Sequence, residues 1–525
     1  MLVIGGGIHG LAIAYDAAQR GFATALVERG DFGSGSSFNH AKTVHGGLRS
    51  LQTGDVVKAR FSICERRAMA RIAPALVTPL AFMMGTTRKL SRSNAAMRAG
   101  FLLDAAIGFD RNAGVEPHLR LPAGRVLGRD AYDAAFGRNA REDVTGVAQW
   151  SDYHMPESDR LTLAFAQAAA SHGAVLANHV EARETVIRGR RLAGVRATDT
   201  LSGDDLEIEA RITVNAAGAA CRAWMERFGA RPDFPLLKAM NLVTSRPAGP
   251  VALGAPTSGG RLLLVMPWRG RMLVGTSHSD QPAEPDDTRV FRGELQAFVD
   301  EVNSAFPALD LSGTEVTLVH RGIVPAYRDR HGVLALMGHH RIRDHARDGV
   351  AGALSVAGVK YTTARGVASQ VVDLIAARLG AGTPPCRTGT TRLPHWEFGA
   401  VGDEADRARA EAGHQLDAEC LATLVSTHGA AWRAVLQRCA KDPRLCSRLS
   451  PGTPIPAAAV LHAVEEEMAC TLADVVVRRL PLGAAAYPGD GVVAACGALM
   501  ASACGWDATR LAAEIDAVRD VYRVW

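Results

Sequence analysis

The strongest constraint on this chain is a glycine run, Gly5-x-Gly7-x-x-Gly10, set between an apolar strand and a helix. Residues 2 to 28 read as LVI, the turn GGGIHG, then LAIAYDAAQRG with apolar residues recurring about every 3.6 positions, then ATALVE ending on Glu28. A glycine triplet alone is weak evidence. Here the strand before it, the helix after it and the acidic residue closing the next strand give the context of a dinucleotide-binding βαβ unit. Gly5 permits the tight turn, Gly7 lets backbone approach a pyrophosphate, and Gly10 lets helix and strand close. The helix N-terminus attracts diphosphate charge, and Glu28 is placed to accept from ribose hydroxyls. The run does not separate a nicotinamide from a flavin dinucleotide.

The rest of the 525 residues must supply more than that unit, because single cores stop growing near about 250 to 300 residues. VVKARFSICERRAMARIAPALV (56 to 78) and LTLAFAQAAASHGA (from 161) carry helical patterns, and ITVNAAG reads as a buried strand ending in glycine. NLVTSR, RLLLVMPW, RMLVGTS and GVLALMGHH, between 236 and 340, alternate or run apolar as strands of an antiparallel sheet do. ALSVAG then ends at Gly358 and YTTARGVASQVVDLIAARLG reads as a helix; residues 380 to 398 turn rich in Gly, Pro and Thr, as a linker does. The expectation is an α/β protein: a Rossmann-type dinucleotide-binding domain over 1–395, assembled from pieces near 1–50, 150–225 and 345–380. Substrate-binding insertions at 51–149 and 226–344 carry the antiparallel sheet, and 396–525 form an all-α domain.

Composition removes several classes. A net charge of +5 with dispersed Lys and Arg gives no basis for nucleic-acid binding but suits a small anionic substrate. Nine cysteines without a C-x-x-C pair argue for reduced thiols rather than disulfides, zinc or an iron-sulfur cluster, so no metal is expected. The strand at Met1 leaves no room for a leader, and no apolar run reaches the roughly 20 residues of a membrane span, so a cytoplasmic protein is expected. Residues 88 to 110 set Arg88, Lys89, Arg92 and Arg98 beside MRAGFLLDAAIGF, which is either a solvated helix or a contact with the inner face of a membrane.

The segment GSGSSFNHAKTVHGGLRSL (33 to 51) closely resembles the FAD-dependent glycerol-3-phosphate dehydrogenases, a branch of the D-amino-acid-oxidase-like flavoproteins. SDYHMPESDRL (151 to 161), NAAG (215 to 218), PWRGRMLVGTS (267 to 277), GVKYTTAR (358 to 365) and EEEMACTLADVVVRRL (465 to 480) extend the resemblance in order along nearly the whole chain. It implies FAD as cofactor, oxidation of glycerol 3-phosphate or a similar polyol phosphate to the ketone, and a quinone or oxygen as electron acceptor; a homodimer is compatible with it. Cofactor contacts are then expected from Gly5, Gly7, Gly10, Glu28, Arg29, Ser36, Ser37, Lys42, His45, Gly46, Gly47, Val180, Ala217, Gly218, Gly358, Lys360, Tyr361 and Thr362. Ser36 and Ser37 would donate to the diphosphate, and the helix after Lys360 would aim its positive end at the flavin pyrimidine. Arg49 and Lys360 inherit, by resemblance, contact with substrate phosphate.

Two positions depart from the family pattern. Ala239-Met240-Asn241 stands where the family has GSH, and Gly322-Ile323-Val324-Pro325 where it has GVRP. Asn241 cannot take the hydroxyl proton, so His45 is the first candidate base, ahead of His278 and His320. For the missing arginine, Arg321, Arg269 and Arg271 are the available cations. His40 lies near a position where some relatives attach flavin covalently. The expected site is therefore catalytic at His45, Arg49 and Lys360, with Arg49, Lys360, Arg321 and Asn241 toward substrate. The rivals are a flavin amine or amino-acid oxidase, a degenerate FAD-binding protein and a nicotinamide dehydrogenase.

Overall fold

The first strand, Leu2–Ile4, is apolar on both faces, as a strand covered on both sides must be. Leu2 and Ile4 point into one core with Val27, Val195 and Trp224, whereas Val3 points into the other with Leu11, Phe165 and Val371. This computed structural model describes residues 1–137, 143–329, 331–380, 382–413 and 415–525. The side chains of Arg49 and Gln52 lie outside that description.

Leu2–Ile4 sits inside a six-stranded sheet ordered Arg341–Asp344, Ala353–Ala357, Thr213–Asn215, Leu2–Ile4, Ala25–Val27, Val175–Ala177. All pairings are parallel except that of the edge strand Arg341–Asp344. Helices Ile8–Gln19, Ser158–Ser171 and Ala364–Leu379 cover one face through the larger core. An antiparallel meander, Val180–Arg188, Arg191–Asp199 and Asp205–Glu209, lies toward the other. The sequence reading has no counterpart for this meander; its strands leave much of their surface exposed and carry many charges, so their apolar alternation is weak.

The second sheet runs Leu334–Leu336, Val316–Arg328, Leu236–Thr244, Arg271–His278, Leu262–Trp268, Ala252–Pro256, Thr78–Thr87, Val144–His154, Thr43–Val44, with Arg125–Leu127 also on Val144–His154. It is antiparallel save for one parallel pairing, Ala252–Pro256 with Thr78–Thr87, which joins strands from the two inserted stretches of chain. The pairing of Thr43 with His154 ties the segment leading into His45-Gly46-Gly47 to this sheet. The C-terminal helices, from Val401–Ala412 to Ala508–Val521, share one core with Phe82, Trp268, Leu273 and Leu318 of the sheet. Among the described residues no helix is long and apolar enough to cross a membrane.

Candidate active site

The glycine turn behaves as its spacing requires. Gly5 has a φ of +107°, and a Cβ there would lie 2.6 Å from the Ala216 carbonyl oxygen. A Cβ on Gly10 would fall on the Gly5 carbonyl oxygen, so helix and turn can close only around glycine. Glu28 reaches back across this turn: its Oε2 accepts from the Gly6 amide at 2.6 Å and its Oε1 from Gly30 at 2.9 Å. Burial raises the Glu28 pKa, against those two amides.

A cavity of about 810 Å³ opens along this turn, in the range of sites that enclose an organic ligand. Gly5, Gly7, Glu28, Arg29, Ser36, Ser37, Val180, Ala217, Gly218, Arg321, Gly358 and Tyr361 all line it. The start of helix Ile8–Gln19 faces it, and Ser37 Oγ accepts from the Ile8 amide at 2.9 Å. Val180 donates its amide to the Glu28 carbonyl at 2.8 Å, and Arg29 pairs with Asp286 at 2.6 Å across the rim. His9, in the glycine turn itself, lines the cavity with its Nε2 unpaired, and burial lowers its pKa to about 4. Volume, a glycine cradle, a helix N-terminus and the unpaired ring nitrogens of His9 and His40 fit a dinucleotide of FAD's size and charge.

Beside the cavity the structure brings together the two segments expected near the reacting atoms, although of these residues only Gly358, Val359 and Tyr361 line it, and His45, Gly46, Gly47, Lys360 and Thr362 do not. The His45 amide donates to Thr362 Oγ1 at 3.2 Å. His45 is solvent-accessible although protein packs closely round it. Burial lowers its pKa; Asp152 opposes this, while Lys360 and Arg66 add to it, so the ring is neutral at pH 7. Gly46 and Gly47 shape the turn: a Cβ on Gly46 would collide with Arg66, and Gly47 has a φ of +77°. Arg49 lies in the short helix Leu48–Gln52, but its side chain is outside the described residues.

Two residues under this turn escape a motif reading. Asp152 Oδ1 accepts from the Gly46 amide at 2.8 Å and from Arg66 Nη1, while its Oδ2 accepts from Trp150 Nε1 at 3.2 Å. Both Arg66 and Asp152 are buried. Their pairing spans 86 positions and has no sequence spacing that would announce it.

Several other expected residues have their polar groups committed to partners within the protein. Lys42 is wholly buried, donating to the Phe38 carbonyl at 2.5 Å and to Ser158 Oγ at 3.1 Å, with Asp159 at 3.7 Å; burial lowers its pKa to about 8. It pins the serine-rich loop to helix Ser158–Ser171. Asn241 is 1% exposed and accepts from Thr276 Oγ1 at 2.8 Å. Arg321 lines the cavity, but its guanidinium donates to the carbonyls of Arg523 (2.8 Å), Asp520 (3.2 Å) and Val521 (3.3 Å), capping the last helix. Arg269 is committed to Glu157 at 2.5 Å, and Arg271 reaches the Thr244 carbonyl at 3.5 Å. His278 reaches the Ser279 carbonyl at 3.4 Å, and His320 is buried between Phe38 and Trp268. His40 stacks on Tyr361, whose Oη meets Thr162 Oγ1 at 2.9 Å.

A parallel sheet with this cradle, joined to a large antiparallel sheet, has the build of a dinucleotide-binding oxidoreductase. The chain belongs to the FAD dependent oxidoreductase family, whose model matches residues 1–374, and residues 386–511 match the model of the C-terminal domain of alpha-glycerophosphate oxidase. It is 28% identical to a glycerol-3-phosphate dehydrogenase of Synechocystis sp. over 96% of this chain and 93% of that protein. It is also 28% identical to the enzyme of that name from Mycobacterium leprae, over 98% of this chain and 86% of that one. The fold matches the glycerol-3-phosphate dehydrogenase from Bacillus halodurans complexed with FAD, at a TM-score of 0.77 and 23% identity, covering 99% and 94% of the two chains. It matches glycine oxidase from Geobacillus kaustophilus at 0.53 and 20%, over 75% and 98%.

Proposed function

We propose that this enzyme oxidises sn-glycerol 3-phosphate, or a closely similar polyol phosphate, to dihydroxyacetone phosphate or the corresponding ketone, with a quinone or oxygen as final acceptor. The observation that carries it is the meeting of His45 with Thr362, whose neighbour Tyr361 lies on the wall of a flavin-sized cavity. FAD supplies the hydride acceptor when bound. His45, kept uncharged, accepts the hydroxyl proton, and the turn beneath it, fixed by Asp152 and Arg66, aims its ring. Lys360 provides positive charge beside His45 for an anionic substrate, and Arg49 is the second cation assigned to the phosphate. Full-length relatives named for glycerol 3-phosphate favour this substrate over an amine. Anaerobic mixing with glycerol 3-phosphate tests it: flavin absorbance near roughly 450 nm bleaches if the reading holds. Bleaching by dithionite but not by glycerol 3-phosphate refutes it.

The enzyme also rests against an anionic membrane face through helix Asn94–Ile107. Its outward stripe is Ala95, Arg98, Ala99, Leu102 and Ala106, whereas Met97, Phe101 and Asp104 face inward. Leu90, Leu102 and Phe109 are 88, 74 and 81% exposed, with Arg88, Lys89 and Arg98 beside them. Co-sedimentation with phosphatidylserine vesicles that is lost in Leu102→Asp and Phe109→Asp supports this contact. Dimerisation through the same patch, read by sedimentation velocity, with no vesicle binding, replaces it.

A further inference from the structure

Three residues beyond Glu28, Asp31 leaves the cavity wall for the seam between the flavin-binding region and the C-terminal helices, where it is 2% exposed. Its Oδ1 accepts from Arg479 Nη2 at 2.6 Å and Asn178 Nδ2 at 3.2 Å; its Oδ2 accepts from Arg479 Nη1 at 2.7 Å and Arg478 Nε at 2.6 Å. Arg478 also donates to Asp474 Oδ1 at 2.5 Å, and the other oxygen of Asp474 meets His179 Nε2 at 2.9 Å. Arg160, in helix Ser158–Ser171, forks onto both oxygens of Glu467 at 2.8 and 2.5 Å. His428, His462 and Glu467 bring three ligand atoms within 4.8 Å, but the Arg160 guanidinium occupies that carboxylate, so the group extends the ion lattice rather than forming a metal site.

Arg478 and Arg479 leave a single π-helical turn, Asp474–Arg479. Such turns are rare and are frequently found at functional sites. Arg478 and Val477 also lie on the wall of the cofactor cavity, with Gly30, Gly33 and Ser34. The loop between is short and tied at both ends: Glu28 holds the amides of Gly6 and Gly30, and the Gly33 amide donates to the Gly6 carbonyl at 2.9 Å. Both ionic partners of the buried Asp31 carboxylate come from the C-terminal domain, and taking one member away from a buried pair is strongly destabilising. Docking of that domain and the shape of the cofactor loop are therefore one event.

We propose that Arg478 is a positioning residue of the cofactor site supplied by the C-terminal domain: through Asp31 it fixes the loop Gly30–Ser37, so that FAD binding and docking of the domain stabilise each other. This rests on the reading of the cavity as the FAD site. Linkage makes the coupling reciprocal. Two measurements on the full-length protein test it. After the flavin is stripped, the FAD Kd read by flavin fluorescence is expected to rise roughly tenfold in Arg478→Gln and to recover in part in Arg478→Lys, which keeps the charge but not the bridge from Asp31 to Asp474. In the unmutated protein, hydrogen exchange over residues 470 to 482 is expected to slow on adding FAD. An unchanged Kd in folded Arg478→Gln overturns the proposal, as does exchange at 470 to 482 that ignores FAD; the second reading stands even if the variant does not fold. Glycerol 3-phosphate enters neither measurement, so a failed substrate assignment leaves both readable.

Discussion

Replacing Asp152 by Asn changes no shape but removes the charge that faces Arg66. In the native site one carboxylate serves three donors: the Gly46 amide, Arg66 and Trp150. Side chains of both ion partners are 5% exposed, so Asn leaves a guanidinium in the interior without a counter-charge. Removing one member of a buried pair costs about 3 to 5 kcal/mol; the amide oxygen keeps one bond to its donors, which places the expected loss near about 3 kcal/mol. At roughly 2 °C or more per kcal/mol, the melting transition of the flavin-binding region falls by about 6 °C. A second readout is chemical. Asp152 raises the His45 pKa, whereas Arg66 and Lys360 lower it. Without Asp152 the ring loses its proton at a lower pH, and the acid limb of kcat/KM moves to lower pH. Scanning calorimetry of the holoenzyme and a pH profile of flavin reduction check the two. A shift under about 2 °C together with an unmoved acid limb refutes the view that Asp152 organises the histidine turn.

Glu28→Gln puts an amide NH₂ against one of two backbone N–H groups, so a charge-assisted bond worth about 1.5 to 3 kcal/mol is lost and FAD affinity falls roughly tenfold; an unchanged Kd by flavin fluorescence contradicts this. Gly10→Ala sets a methyl on the Gly5 carbonyl, and the expected product is colourless or insoluble; a yellow, stable protein would show that the turn can open. For His179, burial pulls the pKa down, but Asp474 and Asp31 outweigh it and the net shift is upward despite Arg478. Its contribution is therefore full below the ordinary value of 6.5 and lost as pH rises through the higher folded-state value, so His179→Asn should flatten the fall in melting temperature above neutral pH.

What could be read from the sequence is what short-range spacing encodes. The glycine turn, Glu28 and the serine loop lie within 37 residues, and each is a local consequence of backbone geometry. The meeting of His45 with Thr362 is long-range and became legible only through resemblance to a known family. Asp152 with Arg66, and Asp31 with Arg478 and Arg479, are pairings of ordinary charged residues across 86 and 447 or more positions, which no local spacing announces. Lys42 illustrates the converse: it sits inside a motif facing the cofactor region, yet its ammonium turns inward, because Phe38, Ser158 and Asp159 offer better partners than an open wall. Arg321 could not be placed from sequence because its acceptors, three carbonyls at the last helix end, lie about two hundred residues away.

The two departures from the family pattern are unequal in physical terms, and reversing each separates them. Strands Leu236–Thr244 and Val316–Arg328 pair so that Asn241 faces His320 and Leu237 faces Val324. Asn241 has no spare room: it is buried, bonded to Thr276, and even a Cβ on Gly275 would run into its amide. A histidine there overpacks the strand pair at a cost of about 1 to 3 kcal/mol, so Asn241→His should lower stability without raising kcat. Val324 instead borders the cavity, although it is 7% exposed and packs with Leu237, Ala239 and Leu334. Val324→Arg adds a cation on that wall, and a charge-assisted bond to substrate phosphate is worth about 1.5 to 3 kcal/mol, so KM for glycerol 3-phosphate should fall roughly tenfold with kcat little changed. Steady-state kinetics on the two variants decide: a KM that rises or stays fixed in Val324→Arg would mean that the phosphate lies toward Lys360 and away from this strand, leaving Val324 as packing alone.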